Sequence, residues 1–105
     1  MYKYYPEEII EEVRISNDIV DVVMEYVRLE RKGKDYFGLC PFHKEKTPSF
    51  SVAPAKQIFY CFGCGKGGNV IQFIMEIENL SYIDSVKFLA DRARIQLPDG
   101  DSPEE

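Results

Sequence analysis

One stretch of this 105-residue chain decides its fold: residues 40–64 read CPFHKEKTPSFSVAPAKQIFYCFGC. The stretch opens on Cys40-x-x-His43 and closes on Cys61-x-x-Cys64, with seventeen residues between the two pairs. These four residues are all three cysteines and the one histidine of the protein. Two residues between paired ligands let both side chains point at one ion, and Zn(II) takes four sulfur or nitrogen ligands in a tetrahedron. The spacing therefore predicts one zinc ion bound by Cys40, His43, Cys61 and Cys64.

The predicted zinc site is structural rather than catalytic. A catalytic zinc keeps one position open for water, whereas four protein ligands leave none. No catalytic residue is therefore assigned to this chain. A dithiol redox motif at Cys61 and Cys64 is the main alternative, but it would leave Cys40 and His43 without a role, and no strand–helix–strand pattern surrounds it.

Length and composition indicate one small domain. A chain of 105 residues with 45% hydrophobic residues can bury a modest core, to whose stability a metal would add. No apolar run approaches the roughly 20 residues of a membrane span, and the N-terminus lacks the apolar core of a signal peptide. We therefore expect a cytoplasmic protein with no membrane partner, in which cysteines stay reduced and free to bind metal.

Hydrophobic periodicity predicts helices on both sides of the zinc motif. The four helices are expected at about 6–17, 18–27, 69–79 and 81–95. Between them, short alternating segments separated by turn residues such as Gly33 and Pro54 predict antiparallel strands within 28–61. The predicted fold class is α+β, a small antiparallel β-sheet zinc ribbon flanked by N- and C-terminal helices. Residues 1–98 form the predicted domain, and the polar residues 99–105 form a linker.

Charge is segregated along the chain, although the net charge is −5. Residues 28–66 contain 8 of the 13 basic and 3 of the 18 acidic residues, a formal +5, which leaves a formal −10 for the remainder. A basic centre between acidic flanks indicates a localised anion-binding face. The same segment holds seven of the 14 aromatic residues. Because phosphates need cations and unpaired bases stack on aromatic rings, the combination favours single-stranded nucleic acid.

The sequence leaves open which face of the sheet would carry this ligand. A small sheet buries one face, so about half of these aromatic side chains are expected in the core. On the strand 57–61, Ile58 and Tyr60 share one face, while Phe59 and Cys61 share the other. Periodicity alone does not say which pair meets solvent.

Two segments of the chain closely resemble a known family. Residues 36–50, YFGLCPFHKEKTPSF, and residues 57–69, QIFYCFGCGKGGN, resemble the zinc-binding domain of bacterial DnaG-type DNA primases. The segments 18–23 and 69–73 match as well, so that the resemblance covers about residues 5–98. In this resemblance the four predicted zinc ligands match the ligands of the family one for one.

The resemblance implies a function and a set of partners. Such primases make RNA primers on single-stranded DNA; the zinc domain recognises the template start site, a separate polymerase domain does the chemistry, and another domain binds the replicative helicase. By this resemblance the chain binds single-stranded DNA template during DNA replication and makes no primers alone. The linker at 99–105 would lead to the polymerase domain. The alternative is a protein-interaction zinc ribbon that docks on polymerase or helicase domains through its acidic helices.

The predicted DNA-binding residues combine the basic cluster with one aromatic side chain. They are Arg31, Lys34, Lys46, Lys56, Tyr60 and Lys66. The resemblance implies template-facing roles for Lys34, Lys46 and Lys56. It also shows one departure, since Glu30 stands where relatives often have a basic residue.

Overall fold

The computed structural model describes residues 5–42 and 48–97. Five antiparallel strands form one sheet in the order β1–β2–β3–β4–β5. The strands are Glu30–Lys32 (β1), Asp35–Gly38 (β2), Phe50–Ala53 (β3), Ile58–Cys61 (β4) and Gly67–Gly68 (β5). The helices are Glu7–Ile15 (α1), Ile19–Met24 (α2), Val70–Glu78 (α3) and Tyr82–Arg92 (α4). The predicted α+β class, an antiparallel sheet with helices at both ends of the sequence, is confirmed.

The helices are shorter than their periodicity suggested, and the sheet has one strand more. In the described part of the chain, no helix has the length and apolarity needed to cross a bilayer. The extra strand, β5, lies outside the predicted range 28–61 and pairs with β4 through Tyr60↔Gly67 and Phe59↔Gly68. Two glycines have no side-chain alternation to read, so periodicity could not reveal this strand. The predicted linker at 99–105 lies outside the described residues.

The side chain of Asn69 caps the N-terminus of α3 and sets where this helix begins. The Asn69 side chain accepts hydrogen bonds from the backbone N–H groups of Ile71 and Gln72 at 3.0 and 3.1 Å. In return the Gln72 side chain accepts from the Asn69 N–H at 2.8 Å, which completes a capping box. Because of this reciprocal cap, Asn69 is the only residue between the end of β5 and the start of α3. The helix therefore follows the second cysteine pair closely in the chain.

Phe73 of α3 joins the sheet to the helices. Its side chain is fully buried, and its ring centroid lies 5.5 Å from that of Phe59 and 5.7 Å from those of Phe42 and Tyr26. Phe50 and Phe59 stack on each other on the same side of the sheet, with centroids 5.6 Å apart. The resulting aromatic core connects β3, β4, α3 and the loop of the first ligand pair.

The exposure of β4 decides which face of the sheet meets solvent. Phe59 is 1% and Cys61 0% exposed, whereas Ile58 is 39% and Tyr60 42% exposed. The strand register carries this division across the sheet, because Phe37, Ser51 and Tyr60 lie in one row. We call the face that carries Ile58 and Tyr60 the outer face and the opposite one the core face.

Hydrogen bonds of the Gln57 side chain connect the β3–β4 turn to the start of α2. Its side-chain oxygen accepts from the Ile19 N–H at 2.9 Å, and its amide nitrogen donates to an Asp18 carboxylate oxygen and to the Pro54 carbonyl, both at 2.9 Å. Gln57 also has a left-handed backbone, with φ of 56°. The Gln57 side chain therefore connects the sheet to the N-terminal helices. The preceding residue, Lys56, is a predicted DNA ligand.

Gln57→Ala is expected to lower the free energy of unfolding by about 1–3 kcal/mol, because donors and acceptors satisfied by this amide lose their partner. Urea denaturation of the zinc-loaded protein measures the change. Lys56→Ala is the matched control, since Lys56 precedes Gln57 in the same turn and its side chain is exposed. Equal stability of the two variants would mean that the Gln57 contacts contribute nothing.

Candidate zinc centre and nucleic-acid face

Three of the four predicted zinc ligands lie together at one end of the sheet. Cys61 ends β4, Cys40 follows β2, and Cys64 lies in the turn after β4. Their sulfur atoms all lie within 4.8 Å of one another, and those of Cys40 and Cys64 are 3.8 Å apart. Sulfurs bound tetrahedrally to zinc at about 2.3 Å would be about 3.8 Å apart, so the cluster has room for one zinc ion. His43 lies outside the described residues.

Backbone N–H groups point at two of these sulfurs. The Phe42 N–H donates to Cys40 Sγ at 3.4 Å, and the Gly63 N–H donates to Cys61 Sγ at 3.3 Å. In both ligand pairs, therefore, the residue two after the first cysteine donates back to it. Such bonds stabilise the thiolate, which is the form that binds a metal.

The thiol pKa values differ because the environments of the cysteines differ. Burial raises the pKa of Cys61, but N–H donors from Cys64 and Gly63 and the Ser49 hydroxyl outweigh burial and lower it to about 7. At Cys40 burial dominates and raises the pKa to about 12. A bound cation would favour the thiolate form of all three cysteines, as metal sites generally do.

The hairpin turns lie at the opposite end of the sheet from the cysteines. The β1–β2 turn at residues 33–34 and the β3–β4 turn at residues 54–57 share one end, because Tyr36 of β2 pairs with Val52 of β3. Lys34 and Lys56 are exposed in these two turns. The structure therefore groups these two predicted DNA ligands at one end of the sheet, which we call the basic hairpin end. Lys46 lies outside the described residues.

The other predicted DNA ligands are not gathered there. Arg31 pairs in register with Tyr36 and lies on the core-face side, with its guanidinium carbon 6.0 Å from the Tyr36 ring centroid. Tyr60 is on the outer face. Lys66 lies near the cysteine end, where its ammonium group is 3.2 Å from a carboxylate oxygen of Glu76 on α3.

One exposed aromatic residue was missed as a candidate ligand. Phe62 is 69% exposed, and its ring makes an edge-to-face contact with Tyr60 at a centroid distance of 5.0 Å. The signal was present in the sequence, since Ile58, Tyr60 and Phe62 alternate along the strand and its continuation. What the sequence lacked was the knowledge that this alternating set faces solvent.

A cleft of about 510 Å³ adjoins the outer face on the β1–β2 side. Its walls include the cations Arg28 and Lys32 and the apolar side chains of Phe37 and Leu39. Glu30 also lines the cleft, so its walls combine two cations, one carboxylate and apolar side chains.

Comparison with known proteins finds close similarity over nearly the whole chain. Residues 5–105 match the model of a family described as the CHC2 zinc finger. The chain is 57% identical over 100 residues to a DNA primase of Listeria innocua and 60% identical over 92 residues to a DNA primase of Geobacillus stearothermophilus. These alignments cover 95% and 88% of this chain but only 16% and 15% of the two relatives.

A solved structure has the same fold. It is the crystal structure of the Aquifex aeolicus primase, described as containing zinc-binding and RNA polymerase domains. The superposition has a TM-score of 0.83 at 47% sequence identity and covers 90% of this chain and 23% of that chain. The present chain thus corresponds to a small part of the longer proteins it resembles.

Proposed function

Because this chain belongs to the CHC2 zinc finger family, we propose that it binds single-stranded DNA template and recognises the primer initiation site during DNA replication. One observation carries the proposal. The two hairpin turns of the sheet bring the exposed Lys34 and Lys56 to one edge, beside an outer face with exposed aromatic side chains. Cations bind phosphates and aromatic rings bind unpaired bases, so this surface suits a single strand.

The zinc ion of this domain is proposed to be held by Cys40, His43, Cys61 and Cys64. Three sulfurs within 4.8 Å of one another support three of the ligands, and the spacing of His43 after Cys40 supports the fourth. Four protein ligands leave no position for water, which makes the ion structural. It would join the end of β4 to the loop after β2 and so fix the strands that end in the basic turns.

The activity of the longer protein is proposed from its relatives. In a protein of their kind, this domain would present the template while a primase polymerase domain joins nucleotides into an RNA primer. The polymerase domain and the replicative helicase of the primosome are the proposed partners, in the cytoplasm. The 105 residues by themselves would be non-catalytic, because the chemistry is assigned to the polymerase domain.

The triple variant Lys34→Ala, Lys46→Ala, Lys56→Ala is expected to weaken binding of single-stranded DNA and to flatten its salt dependence. Each phosphate contact contributes about 0.7 to the slope of log Kobs against log salt for single strands, so the slope should fall by about 2. Fluorescence anisotropy with a labelled oligonucleotide at several salt concentrations measures both quantities. Thermal melting should be unchanged, because the lysines in the described turns are exposed.

Lys87→Ala on α4 is the matched control, since Lys87 is exposed but lies on a helix away from the hairpin turns. An unchanged slope in the triple variant would show that the basic hairpin end does not contact phosphate. If Lys87→Ala produces about one third of the effect of the triple variant, only the net charge matters, because it removes one positive charge instead of three.

The alternative function is docking on a polymerase or helicase domain. The observation that favours it is the surface of α1, where Glu7, Glu8, Glu11 and Glu12 are all exposed. Acidic faces of this kind suit a basic protein surface and repel DNA. Titration of the zinc-loaded domain against DNA oligomers and, separately, against isolated partner domains distinguishes the two functions.

A further inference from the structure

We infer that Ile58, Tyr60 and Phe62 form a stacking platform for unpaired nucleobases, with Phe62 as its principal contact. The platform, rather than the basic hairpin end, would make binding selective for single-stranded over double-stranded DNA. This inference rests on the proposed function above and assigns the bases, rather than the phosphates, to a particular part of the outer face.

The three side chains form one apolar ridge along the sheet. Ile58 and Tyr60 occupy alternate positions of β4 and point to the outer face. Phe62 lies in the turn that follows, and its ring contacts that of Tyr60, which places it on the same ridge. Their exposed fractions are 39%, 42% and 69%, rising toward the cysteine end. Exposed large apolar side chains are normal when they occur singly, whereas three in a row indicate a contact surface.

The flanking positions of the ridge are occupied by small residues. Ser51 pairs with Tyr60 and Ala53 with Ile58 on the β3 side, and Gly67 pairs with Tyr60 on the β5 side. A Cβ atom at Gly67 would lie only 2.8 Å from Cδ1 of Tyr60, so the tyrosine ring lies across the glycine. No tall side chain therefore stands beside Tyr60 in these paired positions, and the ridge can be approached from both sides.

The contact between Tyr60 and Phe62 leaves aromatic surface free. Their ring planes are inclined by 73°, so the rings meet edge to face instead of stacking. In such a pair one ring offers only its edge and keeps both faces for other contacts. Phe62, with 69% exposure, has the most surface to offer.

The charge of the residues around the ridge indicates which ligand it would bind. The segment 28–66 carries a formal charge of +5, and the ridge begins beside the turn that carries the exposed Lys56. An anionic polymer with flat apolar groups matches an apolar ridge in a basic segment. In duplex DNA the faces of the bases are already stacked on one another, so only unpaired bases can use the rings.

The test measures affinity for a single-stranded oligonucleotide and for the duplex of the same sequence, using the full zinc-loaded chain. Phe62→Ala is expected to weaken single-strand binding by about 5- to 150-fold, which corresponds to the loss of one base stack. The salt slope and the duplex affinity should stay unchanged. Phe62→Trp should retain single-strand affinity, whereas Phe62→Leu, which is apolar but has no aromatic ring, should behave like Phe62→Ala.

Ile15→Ala is the matched control, because Ile15 is 67% exposed on α1 and does not lie on the sheet. Zinc content and melting temperature are measured for every variant, since Phe62 lies between two cysteines; wild-type values are expected.

The outcomes distinguish the stacking platform from the proposed function. If Phe62→Leu binds single strands like the wild type, or if Phe62→Ala does so while the lysine variant is weakened, the platform is wrong and the proposed function stands. If the wild-type domain binds no DNA, both fail. If Phe62→Ala weakens binding to a polymerase domain and leaves DNA affinity intact, the ridge is a protein interface.

Discussion

Chelation of zinc is expected to unfold this domain, and Cys61→Ser is expected to do so without a chelator. Zinc binding contributes about 10–16 kcal/mol of folding free energy in zinc-finger peptides at neutral pH. The total stability of a small domain is only about 5–15 kcal/mol. Because Cys61 is fully buried at the end of β4 and its sulfur belongs to the three-cysteine cluster, its replacement by serine removes a thiolate ligand from the metal site. Circular dichroism melts, combined with zinc analysis by atomic emission, measure the effect.

Cys64→Ser provides the control that isolates the metal. Cys64 is exposed, so its thiol contributes little to the core. The substitution should therefore lower the free energy of unfolding of the zinc-loaded protein and leave that of the chelator-treated protein nearly unchanged. The comparison is a double-mutant cycle in which the metal takes the place of the second residue. A chelated wild-type domain that melts at the same temperature as the zinc-loaded one would refute the structural role of zinc. It would also revive the redox interpretation of Cys61 and Cys64.

Phe73→Ala is expected to lower the free energy of unfolding by about 3–5 kcal/mol. The side chain is fully buried, and its ring meets those of Tyr26, Phe42, Phe50 and Phe59 at centroid distances of 5.5 to 6.2 Å. Truncation would leave a cavity bounded by the sheet, by α3 and by the loop of the first ligand pair. Urea denaturation of the zinc-loaded protein at constant zinc concentration measures the loss.

Tyr82→Ala is the matched aromatic truncation, since Tyr82 is 44% exposed at the start of α4. Its effect should stay within about 0.5 kcal/mol, as is usual for surface substitutions. Similar losses in the two variants would mean that the aromatic cluster around Phe73 is not the centre of the core. A large loss at Phe73 would connect the two predictions, because Phe42 belongs both to this cluster and to the Cys40-x-x-His43 segment.

The sequence by itself determined the features that depend on short-range spacing. Paired ligands two residues apart predict a zinc centre because chelation geometry is set within a single turn of the backbone. Asn69 predicts the start of α3 because a cap acts on the next three residues. The antiparallel ribbon between two helical segments likewise followed from local periodicity, and the fold has this form.

Only the tertiary structure decided the features that depend on what packs against what. Alternation along β4 divides Phe59 from Tyr60, but the aromatic cluster around Phe73 is what buries Phe59 and leaves Tyr60 exposed. The same register separates Arg31 from Tyr60, although both were predicted to bind one ligand. Lys66 pairs with Glu76 because α3 returns beside the sheet. The burial of a side chain and its ion pairs depend on residues that are distant in sequence but close in space. A sequence pattern therefore shows which side chains share a face, whereas packing decides which face is buried.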